Sequence, residues 1–142
     1  MKKKIIIVLG EPNSIASEIF LKSLNYINKL KLNLIIIGNY SLLKRQAKYL
    51  NIKINVNLKL SKINNLQKTQ FNFINVDYSQ IKPFDLKFRK SDQFIKKCFE
   101  YAILLIKKNL ASGLINLPIN KDRKSIRLNS SHVSESRMPS SA

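Results

Sequence analysis

KIIIVLGEPNSIASEIF, residues 4–20, changes its hydrophobic period midway. From Lys4 to Leu9 the chain is apolar and β-branched without alternation, the pattern of a strand buried on both faces. Gly10 then lets the backbone turn sharply. Asn13 or Ser14 can cap a helix that carries Ile15, Ile19, Phe20, Leu24 and Ile27 on one stripe. A doubly buried strand that feeds directly into an amphipathic helix is the unit from which parallel sheets are built.

The rest of the chain repeats that unit. Residues 33–37, followed by Gly38, read as a second buried strand. Ser41 can cap a short helix with Leu42, Leu43, Ala47 and Leu50 facing inward. Residues 56–60 alternate and read as a strand, in an edge position. Residues 61–70 are polar and read as a loop, and residues 71–76 as a further strand. Ser91 opens a helix running to about residue 109, with Phe94, Ile95, Cys98, Phe99, Ala102, Leu105 and Ile106 in one stripe. Cys98 in that stripe is expected to be a buried small hydrophobe. After Gly113, residues 114–117 form a short apolar strand that ends in Pro118-Ile119-Asn120-Lys121. The expected class is α/β with a largely parallel sheet.

Composition narrows the function. The 142 residues suffice for one domain or a piece of a larger one, and 7 Phe with 5 Tyr within a 44% hydrophobic share can fill a core. One cysteine and one histidine exclude an internal disulfide, a cysteine-cluster metal site and a multi-histidine site on this chain alone. The longest apolar run, residues 5–9, is too short to span a bilayer, and Glu11 spoils it as a signal sequence. A cytoplasmic setting and no membrane partner are therefore expected. The net charge of +18 comes from 26 Lys and Arg against 8 Asp and Glu. In residues 1–122, however, there are 20 Lys and only 2 Arg, with 19 Ile and 15 Asn. That is the mark of A/T-rich codons. Base readout and bidentate clamps favour Arg, and no platform of aromatics and Arg accompanies the scattered Lys. No nucleic-acid partner is expected.

The composition breaks near residue 123. The last twenty residues hold 7 Ser, and Lys, Ile and Asn together fall to 3, against 54 in the preceding 122. A serine-rich end is ordinarily a disordered tail. The simultaneous reversal of the Lys:Arg ratio, and the resemblance of IRLNSSHVSESRMPSSA (126–142) to translated adapter or vector sequence, make 123–142 a non-native tail by this reading. His132 lies inside it and is given no role.

Two strand ends can carry chemistry, because ligands in open α/β sheets bind beyond the carboxyl ends of strands. Gly10-Glu11-Pro12-Asn13-Ser14 offers a tight turn and the N–H groups of a helix start to an anion, but its spacing alone reads first as a turn before a capped helix. It is neither a Walker loop nor a dinucleotide fingerprint. At Pro118-Ile119-Asn120-Lys121, a rigid turn projects an amide and a cation suited to a phosphorylated or carboxylated substrate, or else makes a plain surface turn.

These segments, in this order, resemble the 4-hydroxythreonine-4-phosphate dehydrogenase family. IIIVLGEPNSIASEI (5–19) resembles its opening strand and Gly-Glu/Asp-Pro-x-Gly-Ile-Gly-Pro-Glu pattern, with Gly10, Glu11, Pro12, Ile15 and Glu18 matching. SLLKRQAKYLNIKI (41–54) resembles its next helix and strand, and LINLPINK (114–121) its Thr-Gly-Pro-Ile-Asn-Lys strand end. Asn13, Ser14, Ala16 and Ser17 depart from the family's Ala, Gly, Gly and Pro, and Asn116 and Leu117 from its Thr-Gly. The resemblance implies an α/β/α sheet of the isocitrate/isopropylmalate-dehydrogenase-like type, incomplete in this chain, with residues 1–122 its N-terminal part. It also implies oxidation of a secondary alcohol by hydride transfer to NAD, then decarboxylation, in vitamin B6 (pyridoxal phosphate) biosynthesis. A divalent metal ion and a homodimer belong to that picture. Asn120 and Lys121 are the candidate substrate-binding residues. The family's Gly-His-Thr substrate site, metal histidines and nicotinamide site follow later than this sequence extends. No catalytic, cofactor or metal residue is therefore assigned, no cofactor is expected bound to these 142 residues, and they are expected to be inactive alone. A related decarboxylating dehydrogenase of another phosphorylated hydroxy acid, and a small basic α/β module binding RNA or an acidic partner, are the alternatives.

Overall fold

A computed structural model describes residues 4–85 and 91–117. They form strand β1 (Lys4–Val8), helix α1 (Ala16–Ile27) with a 3-10 turn at Asn28–Leu30, β2 (Asn33–Gly38), α2 (Tyr40–Tyr49), β3 (Lys59–Ser61), β4 (Phe71–Asn75), α3 (Ser91–Lys107) and β5 (Gly113–Asn116). The five strands make one sheet in the order β3-β4-β2-β1-β5, with every strand pairing parallel. The expected residues 123–142 tail lies outside the described residues.

The sheet is buried on both sides by alternate residues of the same strands. Ile6, Val8, Ile35, Ile37, Ile74 and Val76 pack against α3 through Phe94, Ile95, Cys98, Ala102 and Leu105. Ile7, Leu9, Leu34, Ile36, Phe71 and Phe73 pack the other way, against Phe20, Leu21 and Leu24 of α1 and Leu43 and Ala47 of α2. This three-layer α/β/α arrangement explains why the central strands are apolar without alternation: neither face meets water. Truncating an isoleucine such as Ile35 to alanine costs about 2–5 kcal/mol at sites of this kind.

Several local expectations are corrected. In α1 the inward stripe is Ala16, Ser17, Phe20, Leu21 and Leu24, whereas Ile15 is 64% exposed and Ile19 40%. The helix turns its 17-20-21-24 row to the sheet, which puts Ile19 on the flank and leaves Ile15 outside the helix as its cap residue. Ser14 does serve the helix start, since its Oγ accepts from the Ala16 N–H at 3.0 Å. Asn13 does not; it reaches across to Gln80. Asn39 rather than Ser41 caps α2, its Oδ1 accepting from the Leu42 N–H at 2.9 Å, and Ser41 instead accepts from Arg45. Ile106 lies at the rim of the α3 stripe, 39% exposed. The alternating segment at residues 56–60 pairs only from Lys59 onward, as edge strand β3.

Both α2 and α3 stop the same way. Asn51 and Asn109 adopt left-handed φ of 57° and 58°, and the N–H groups of Ile52 and Leu110 reach back to the carbonyls of Ala47 and Leu105. These are Schellman closures with asparagine in the position that glycine most often fills.

Candidate functional site at the carboxyl ends of the strands

The carboxyl ends of β1, β2 and β4 lie side by side, and polar side chains join the segments that leave them. Gly10, with φ 78°, turns the chain out of β1 in a conformation natural to glycine. Asn39, at the end of β2, donates from Nδ2 to the carbonyl of Val76 at 2.8 Å, and Asn75 Oδ1 accepts from the Tyr40 N–H at 2.8 Å. These contacts fix the end of β2 to the end of β4.

Residues 77–85 then fold back over this edge. Gln80, buried, exchanges two hydrogen bonds with Asn13 and accepts from the Tyr78 hydroxyl at 2.7 Å. Asn13 Oδ1 also accepts from the Asp85 N–H at 2.9 Å. Arg45 of α2 donates to the Gln80 carbonyl, and Gln46 Nε2 donates to the carbonyls of Pro12 at 2.7 Å and Pro83 at 2.9 Å. The Tyr78 ring lies 4.6 Å from that of Phe94, anchoring the same segment to α3. The β1–α1 turn, α2 and residues 77–85 are thus one hydrogen-bonded cluster.

Beside Gly10 this cluster leaves a cavity of about 20 Å³, lined by Gly10, Glu11, Ser17, Asn39, Gln46 and Phe94 among others. Space of that size accepts about one water molecule. The reading of the first strand end as an anion site gains no support from a cavity of this volume lined by a buried acidic residue, Glu11. The plain reading, a turn before a capped helix, is the one the geometry favours.

The second strand end is described only to Leu117, whose N–H donates to the Val8 carbonyl at 3.1 Å, so β5 leaves the sheet beside the end of β1. Asn120 and Lys121, the expected substrate residues, lie outside the described residues. Among the described residues no three His, Cys, Asp or Glu side chains converge as metal ligands, and no helix is long and apolar enough to cross a membrane. Cys98 is buried as expected, and desolvation pushes its thiol up to about 12, far from a reactive thiolate.

Sequence reasoning missed Gln46, Gln80, Asn39 and Tyr78. Gln46 did leave a signal, a polar residue inside the stripe Leu42-Leu43-Ala47. Gln80 left none, because its partner lies 67 residues away.

The fold and this strand-end cluster define a parallel-sheet α/β domain with its polar cluster at the carboxyl ends of the strands. No protein-family model matches the chain. It is 30% identical over 122 residues to a 4-hydroxythreonine-4-phosphate dehydrogenase of a Sulfurihydrogenibium species, an alignment that takes in 83% of this chain and 36% of that protein. In fold it is similar to 4-hydroxythreonine-4-phosphate dehydrogenase structures from three bacteria. That from Salmonella typhimurium has a TM-score of 0.70 at 21% identity, covering 98% of this chain and 42% of the other. The Burkholderia phymatum structure gives 0.66 at 17%, covering 89% and 39%. The Klebsiella pneumoniae structure gives 0.66 at 20%, covering 98% and 41%. Sequence and fold give the same name, and the chain belongs with the 4-hydroxythreonine-4-phosphate dehydrogenases. It spans little more than a third of the curated relative's length.

Proposed function

We propose that the chain is the N-terminal part of an NAD-dependent 4-hydroxythreonine-4-phosphate dehydrogenase of pyridoxal phosphate synthesis. The complete protein oxidises the secondary alcohol of its substrate by hydride transfer to NAD and then decarboxylates the product, as a cytoplasmic homodimer. The observation that carries this reading is the 30% identity maintained over 122 residues. The partial coverage supports incompleteness, and so does the apolar flank of the sheet. Leu114 and Ile115 of edge strand β5 are 39% and 49% exposed, and Ile103, Leu104 and Ile106 of α3 are exposed too. A parallel edge strand this apolar is ordinarily covered.

Among the described residues three metal ligands do not converge, and the cavity beside Gly10 has room for a water molecule but not for a nicotinamide. No step is therefore assigned to them. Their part is architectural. They hold the carboxyl end of β5 beside β1, from which Asn120 and Lys121 follow within four residues of Leu117. In the proposed role Lys121 meets the charge of a phosphorylated substrate and Asn120 hydrogen-bonds it.

Extending the reading frame from the same genomic source tests this. The continuation past Lys121 should encode a Gly-His-Thr-like stretch and later histidines in place of residues 123–142. In that longer protein Lys121→Ala should raise the substrate KM at least tenfold. Unchanged kinetics would remove Lys121 from the site, and a native continuation identical to residues 123–142 would overturn the fragment reading.

A further inference from the structure

The strand order β3-β4-β2-β1-β5 reverses direction at β1. From β1 the chain crosses to β2 through α1 on one face of the sheet, and from β4 it crosses to β5 through α3 on the other. Neighbouring strands whose connections leave to opposite faces open a crevice at their carboxyl ends, where ligands of open α/β sheets bind. That switch point lies between β1 and β5. It is not the edge formed by β1, β2 and β4, where the polar cluster fills the space down to a cavity of about 20 Å³.

Three strands of this sheet end on or beside an asparagine. Asn39, after β2, is taken up by the Leu42 N–H and the Val76 carbonyl, and Asn75 of β4 by the Tyr40 N–H. Asn116 of β5 differs. It is exposed, and its amide has no hydrogen-bond partner among the described residues. Its backbone is nevertheless fixed, because Asn116 pairs with Val8 of β1 and the following N–H, that of Leu117, donates to the Val8 carbonyl at 3.1 Å. Asparagine is a poor strand former, so pairing does not account for its place at the end of an apolar run.

We infer that Asn116 is a specificity-determining residue whose amide hydrogen-bonds the phosphorylated hydroxy-acid substrate at the β1–β5 switch point. This rests on the dehydrogenase reading, and it adds to Asn120 and Lys121 a contact made from the strand itself. The amide both donates and accepts, which matches a substrate carrying hydroxyl and anionic oxygens. The family pattern has threonine at this position, and its hydroxyl has the same two capacities.

The protein encoded by the extended reading frame tests the contact through KM, kcat, calorimetric Kd for 4-phosphohydroxy-L-threonine and melting temperature. Asn116→Ala should raise KM and Kd about tenfold or more, as loss of a hydrogen bond to a charged group does, with kcat and melting temperature unchanged. Asn116→Thr should keep both constants within about threefold of wild type, since a donor and acceptor remain. Unchanged KM and Kd in Asn116→Ala, beside a wild type that turns over, would overturn the contact and leave the dehydrogenase reading standing. Equal losses in both variants with a lowered melting temperature would make Asn116 structural and overturn the contact too. A wild type that neither binds nor oxidises the substrate would overturn the reading, and the contact with it.

Discussion

Asn13 and Gln80, 67 residues apart in sequence, face each other amide to amide: Asn13 Nδ2 donates to Gln80 Oε1 at 3.0 Å and Gln80 Nε2 donates to Asn13 Oδ1 at 2.8 Å. Through this pair the turn after β1 and the segment after β4 become one surface. Because the pair is partly buried, each amide loses two hydrogen bonds when the other is removed.

Asn13→Ala should therefore destabilise the protein by about 1–3 kcal/mol, since it removes one hydrogen bond from each end of the Gln80 amide and the acceptor of the Asp85 N–H. Native-state hydrogen exchange should speed up in residues 79–85 before it does so in the central strands. A double-mutant cycle with Gln80→Ala should show clear coupling, because the two changes break the same bonds.

Gly38 lies under Leu9. A Cβ at Gly38 would stand 2.5 Å from Leu9 Cδ1 and 3.1 Å from Leu9 Cγ. Gly38→Ala should cost about 1–3 kcal/mol in chemical denaturation, as overpacking does. Leu9→Ala is expected to cost about 2–5 kcal/mol alone, yet the double variant should be more stable than the sum of the two, since the cavity left at Leu9 receives the new methyl.

Burial raises the Cys98 thiol from 9.0 to about 12. The folded state then keeps its proton at pH values where the unfolded chain has lost it. Stability from this group is complete below pH 9 and declines as pH climbs towards 12. The stability difference between wild type and Cys98→Ala, measured at pH 8 and again near pH 11, should shrink at the higher pH. A thiol reagent at pH 8 should label Cys98 only as fast as the protein unfolds.

Leu114 and Ile115 leave β5 with an exposed apolar edge. The 142-residue chain should bind a hydrophobic dye and self-associate at micromolar concentration, and Ile115→Lys should weaken both effects. A monomer that melts cooperatively without dye binding would mean that this edge needs no cover.

The sheet was legible because its logic is local. Runs such as residues 5–9 and 34–37 are apolar at every position, which only a strand buried on both faces tolerates. Parallel pairing follows once helices intervene. Details that depend on the rotation of a helix, such as the exposure of Ile15 and Ile19, were not legible, because several apolar rows at helical spacing competed in α1. Ser41 and Asn39 were both sound cap candidates, and the tertiary bond from Asn39 to Val76 decides between them. The strand-end cluster was the least legible part, since Gln80 and Gln46 acquire meaning only when residues 77–85 fold over α2. The family resemblance was carried by short motifs at two strand ends, one of which the structure describes.

The most direct test of the account is NAD reduction with 4-phosphohydroxy-L-threonine and an added divalent metal ion, measured for the 142-residue chain and for the product of the extended reading frame. Hydride transfer requires alcohol and nicotinamide to be held in near-attack geometry, and the cavity beside Gly10 has room for neither. The extended protein should form NADH with this substrate, and the 142-residue chain should form none above background. Turnover by the short chain, or an extended protein that folds yet never reduces NAD with this substrate, would contradict the account.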